Sequence, residues 1–112
     1  GVLAGNRVGG GVGETERAKY DKGLKTGASL FRDSDKEVVA TVISIAKKYD
    51  IKPTQVALSW ILKNPAVVSP IIGATKLSHI SDAISAVDIE LSMDDMKDLE
   101  RPYQSRESPL NI

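Results

Sequence analysis

The chain has 112 residues, 15 basic and 15 acidic, with one histidine and no cysteine. That length suffices for one hydrophobic core, and zero formal charge argues against a strongly electrostatic nucleic-acid or membrane partner. Without cysteine there is neither a disulfide framework nor a thiolate metal site, and a lone histidine cannot build a zinc site. No apolar stretch approaches the ~20 residues that span a bilayer and no signal-peptide pattern opens the chain, so the expectation is a soluble, cytoplasmic protein.

Residues 1–33 hold eight of the nine glycines, with Gly9, Gly10, Gly11 and Gly13 clustered, and read as a long loop. A dinucleotide fingerprint fails there: no strand precedes Gly9, the third glycine of GxGxxG is missing and no apolar helix follows. Leu30 and Phe31 are expected to pack a short piece against the body. Ser34 and Glu37 form a capping box that opens a helix, with Val38, Val39, Val42, Ile45, Ala46 and Tyr49 on one face and Lys47 and Lys48 at its negative end. Pro53 suits a first helical position and starts a second helix, with Val56, Ala57, Trp60 and Ile61 as its apolar stripe and Asn64 and Pro65 as its stop. Trp60 is expected in the core, between this helix and the following strand.

These two helices, IAKKYDIKPTQVALSWI, also resemble a helix-turn-helix. The second offers only Thr54, Gln55, Ser59 and Lys63 among apolar residues, too few polar and basic groups to read bases and phosphates. No nucleic-acid partner is expected.

Residues 65–83, PAVVSPIIGATKLSHISDA, organise the chain. Val67, Val68, Ile71 and Ile72 form the apolar run of a strand covered on both faces. Gly73 ends it, and Ala74, Thr75, Lys76 and Ser78 lead into a helix carrying Ile80, Ala83, Ile84 and Val87. An anion at that helix start would find backbone N–H groups, the hydroxyls of Thr75 and Ser78, and the charge of Lys76. Spacing alone leaves open whether this is a phosphate site or an ordinary strand-to-helix connection. Ser92 and Asp95 then form a second capping box, opening a short helix with Met93, Met96 and Leu99 on its apolar face and Pro102 at its end. Both methionines are expected as core filler. Residues 104–112 read as a tail.

The run SPIIGATKLSHISDAISAVDIEL resembles the last strand and helix of the aldo-keto reductase family, one subgroup of which carries the pattern PIxGATKxxHLxDAxxALDIxL. QVALSWILKNPAV resembles the preceding helix of that family and SMDDMKDLERPY its closing helix. GVLAG resembles the end of its SPLxxGxLxG segment after the seventh barrel strand. Nearly the whole chain is covered, most thinly over residues 8–33.

The resemblance implies an α/β fold, the C-terminal fragment of a (β/α)8 TIM barrel, mostly helical with one core strand. Such a barrel takes about 250 residues, so at most its final third is present. Residues 1–33 would be the Gly-rich loop following barrel strand 7. Residues 34–112 would supply two helices, strand 8, the last barrel helix, the closing helix and the tail.

The implied activity is an oxidoreductase's: NADPH-dependent reduction of an aldehyde or ketone to an alcohol. The proton donor in the family is a Tyr tuned by Lys, Asp and His, all from earlier strands. Tyr20, Tyr49, Tyr103 and His79 do not match those positions, so no catalytic residue is carried over and the isolated chain is expected to be inactive. What carries over is the adenosine end of the cofactor site. Gly73, Ala74, Thr75 and Lys76 match the turn around the ribose phosphate, with Ser78 adding a donor. Lys76 pairs a 2′-phosphate and favours NADPH over NADH. Asp82 would accept from the adenine amino group, while His79 and Ala83 stand where other branches place Arg and Asn. Gly1, Leu3 and Arg7 would lie near the pyrophosphate. Expected partners are NADP(H), the carbonyl substrate of the full-length enzyme, and either the missing N-terminal barrel portion or a second copy. The rival expectation is a non-enzymatic remnant or proteolytic piece that self-associates through its uncovered strand.

Overall fold

The computed structural model describes residues 2–4 and 33–105. Gly1, Arg7, Leu30, Phe31 and the greater part of the glycine-rich loop lie outside the described residues, as does most of the expected tail. Four helices form the body: α1 (Asp33–Tyr49), α2 (Pro53–Leu62), α3 (Leu77–Ser85) and α4 (Met93–Glu100). A 3₁₀ turn at Val2–Ala4 packs on α1 and α2, and a second, Ala86–Asp88, continues α3.

The 3.6-residue period of α1 buries Val39, Val42, Ile45 and Ala46, as its apolar stripe predicts. Its start differs from expectation. Ser34 is already helical, because the helix begins at Asp33, whose carboxylate pairs with Lys36 Nζ at 2.9 Å. At the other end the Asp50 N–H donates to the Lys47 carbonyl at 3.3 Å and the Ile51 N–H to the Ala46 carbonyl at 2.9 Å. That is a Schellman cap, and it requires Asp50 at φ 54°, in the left-handed region.

Pro53 takes the first position of α2, where no N–H is missed. The Gln55 side chain accepts the Lys52 N–H at 2.9 Å, which is half a capping box, since lysine has no acceptor to complete the other half. The stripe of α2 is shifted from the expected one: Val56 is buried, but so are Gln55 and Ser59, while Ala57, Trp60 and Ile61 are only half-buried. Burial of the two polar side chains is compensated by bonds across to α3 and the 3₁₀ turn that continues it. Gln55 Nε2 donates to the Asp82 carbonyl at 3.2 Å and Ser59 Oγ to the Ala86 carbonyl at 3.1 Å. Trp60 packs on the core beside α4, not a strand, and its Nε1 donates to Glu100 at 3.1 Å. Lys63 pairs with Glu90 at 2.7 Å. Three of the four polar side chains that a recognition helix would need are therefore engaged within the protein.

Val42, Ile45, Ala46, Val56, Leu91 and Leu99 form the core, so α1, α2 and α4 converge on it. Ser92 caps α4 by accepting the Asp95 N–H at 3.1 Å. The reciprocal half of that box is not made. Asp95, buried, instead accepts from Tyr49 Oη at 2.5 Å and Lys48 Nζ at 3.0 Å, and the Ser92 N–H turns to Tyr49 Oη at 3.3 Å. The cluster ties the end of α1 to the start of α4. Met96 packs against the core, but Met93 is 73% exposed: as the first residue of α4 it faces solvent and fills nothing.

The expected strand at residues 67–72 is not formed, and no strand occurs among the described residues. After α2 the Ala66 N–H bonds Asn64 Oδ1 at 3.0 Å and the Val67 N–H bonds the Asn64 carbonyl at 3.0 Å, making a turn. Beyond it the chain has no regular secondary structure, with Val68 99% and Ile71 101% exposed. A strand exists only through a partner's backbone groups, and no described segment lies alongside to offer them. The third helix shares that bareness. It buries none of its own side chains, and Leu77, Ile80 and Ile84 are exposed.

Candidate functional site

Gly73 to Lys76 lead into α3, and all six residues from Gly73 to Ser78 are exposed. Nothing lies within 4 Å of where a Cβ on Gly73 would stand, so the turn is open on that side. Lys76 holds the cap position of α3 in an extended conformation, φ −137° and ψ 151°, and no side chain caps the helix. Its first-turn N–H groups are thus offered outward, apart from that of His79, which reaches the Lys76 carbonyl at 3.1 Å. The Lys76 ammonium has no partner among the described residues.

His79 turns back on the loop: its Nδ1 accepts the Thr75 N–H at 3.3 Å. With Nδ1 an acceptor, the ring proton of the neutral imidazole is assigned to Nε2. Ser78 and Asp82 are four residues apart and share a face of α3. Asp82 is half-buried there, with Lys52 Nζ 2.6 Å from its Oδ2. Lys52 and Gln55, both in contact with Asp82, are not among the site residues expected from the sequence. Their distance along the chain hides them, and the sole local signal is that Pro53 places Lys52 at a helix cap.

Leu3 stands apart from this group. It packs on the core, and no member of that cluster belongs to residues 73–82. A cavity of about 680 Å³ beside it, lined by Val38, Val42, Trp60 and Leu99 among others, likewise shares no residue with the 73–82 segment. No cluster of His, Asp and Glu able to hold a metal occurs among the described residues, and no helix there is long and apolar enough to cross a membrane.

The donor set at the start of α3 suits an anion. N–H groups without a side-chain cap, the exposed residues Thr75 and Ser78 and an ammonium with no partner among the described residues lie within four positions of one another, and the one acid nearby is held by a lysine.

A sequence model described as the Aldo/keto reductase family matches residues 3–103. The chain is 38% identical over 90 residues to a putative aryl-alcohol dehydrogenase of Schizosaccharomyces pombe, covering 80% of this chain and 24% of that protein. It is 30% identical over 93 residues to a probable aldo-keto reductase of Glycine max, covering 80% of this chain and 27% of that one. With a versiconal hemiacetal acetate reductase of Aspergillus parasiticus the identity is 34% over 71 residues, 63% of this chain and 20% of the relative. The chain spans about a quarter of the length of the curated relatives it matches. Matched along nearly all of its residues, it belongs to the aldo/keto reductase family, whose members are built on a TIM barrel.

Proposed function

We propose that these residues form the C-terminal part of an NADPH-dependent aldo-keto reductase, carry the adenosine-phosphate end of its cofactor site and contribute no catalytic residue. The observation that carries the reading is the uncapped start of α3 beside Lys76, which has no partner among the described residues. Bound NADPH would supply hydride to the carbonyl carbon of an aldehyde or ketone. The part of this chain is to hold the cofactor by its far end. Lys76, Thr75, Ser78 and the first N–H groups of α3 grip the 2′-phosphate, with His79 alongside, and Gly73 and Ala74 keep the turn open for it. Leu3 belongs to the segment that would approach the pyrophosphate.

The exposed apolar side chains fit the same proposal. Val68, Ile71, Leu77 and Ile84 would be covered by the remainder of a barrel, against which residues 67–72 would pair as its last strand. That pairing would supply the backbone partners that the segment lacks here.

The test is the Lys76→Ala substitution in the complete reductase polypeptide, with NADPH and NADH binding followed by quenching of protein fluorescence. NADPH should weaken about tenfold or more, the weight of one charge-assisted phosphate contact, while NADH changes less than about twofold. Equal losses for both cofactors would show that Lys76 does not read the 2′-phosphate.

A further inference from the structure

Asp82 is the sole acid between residues 73 and 85, and it lies on the face of α3 that leads down to Ser78. A carboxylate there opposes any phosphate at the helix start. The structure counters it from another helix. Lys52 Nζ stands 2.6 Å from Asp82 Oδ2, while Gln55 Nε2 holds the Asp82 backbone carbonyl at 3.2 Å. The same Gln55 accepts the Lys52 N–H at 2.9 Å, so the two residues act as one grip. Gln55 is 8% exposed, which anchors that grip in the packed body. Oδ1 of Asp82 has no partner among the described residues.

We infer that Lys52, supported by Gln55, is a positioning residue for the adenosine-phosphate site: it cancels the charge of Asp82 on the helix that carries the phosphate donors and leaves Oδ1 available to accept from the ligand. The inference rests on the reading of α3 given under Proposed function. It adds that the preference for a phosphorylated ribose depends on a residue outside the 73–82 segment. Lys52 does not touch the phosphate. Its influence passes through Asp82, so removing the charge of Asp82 should make Lys52 dispensable.

That dependence is tested by calorimetric titration of the complete reductase polypeptide with adenosine 2′,5′-bisphosphate and adenosine 5′-monophosphate, which needs no turnover. The quantity read is the ratio of the two affinities. Lys52→Met should lower the ratio about three- to fivefold, the scale of one partly exposed ion pair, and Lys52→Arg should preserve it. The double variant Lys52→Met with Asp82→Asn should recover most of the loss, which a merely structural role for Lys52 does not predict. A ratio unchanged by Lys52→Met, or a double variant as poor as the single one, would overturn the inference. Should the wild-type ratio collapse with Lys76→Ala yet ignore Lys52→Met, the phosphate site stands and the inference alone fails. A wild-type protein with no preference for the bisphosphate overturns both.

Discussion

Replacing Asp95 with Asn should destabilise the protein by about 2 kcal/mol at neutral pH, and the deficit should close in acid. Burial by itself raises the pKa of Asp95, but hydrogen bonds from Tyr49, Lys48 and Ser92, with the Lys48 charge, outweigh it and lower the value from 3.8 to about 2. At about 1.4 kcal/mol for each tenfold change in proton affinity, that corresponds to about 2.5 kcal/mol before screening. The Lys48 side chain is 59% exposed, so solvent screening trims its share. Because the folded pKa lies below the unfolded one, the stabilisation is complete above about pH 4 and is lost as the pH falls towards 2. Urea unfolding followed by far-UV circular dichroism measures it. With a slope on the order of 1–2 kcal/mol/M for a chain of this size, the midpoint of the variant should drop by about 1–2 M at neutral pH. The gap from wild type should shrink to near zero by about pH 2. A gap that stays constant from neutral pH to acid, or is absent at neutral pH, would refute the argument that the ionised carboxylate is what the cluster holds.

Two further outcomes follow from local features. Asp50→Gly should raise stability by about 0.5–1 kcal/mol in the same urea assay, since glycine takes φ 54° without the Cβ penalty; a lower midpoint would show that the Asp50 side chain contributes more than its backbone strain costs. The 112-residue chain purified without further barrel strands should self-associate through Val68, Ile71, Leu77 and Ile84, all exposed. Sedimentation velocity at about 10–100 μM (the range where exposed apolar surface drives association) should show species heavier than one chain, and a single monomeric boundary would contradict that.

What the sequence by itself determined is local and periodic. The stripe of Val39, Val42, Ile45 and Ala46, Pro53 at a helix start, Ser92 as a cap and the stop at Asn64 follow from rules acting over three or four residues, and the helices stand within a residue or two of where those rules put them. The family, too, is legible in the order of residues 69–91. Tertiary structure decided what depends on partners far along the chain. Gln55 and Ser59 are buried because the Asp82 and Ala86 carbonyls meet them, and Lys52 is drawn to Asp82 thirty residues away. Asp95 leaves its capping box because Tyr49 and Lys48 offer more than its own helix does. The apolar run at residues 67–72 is the sharpest instance. Hydrophobicity marks a segment as fit for a sheet, but a strand is made by hydrogen bonds to a neighbour, and those belong to the assembly and not to the segment.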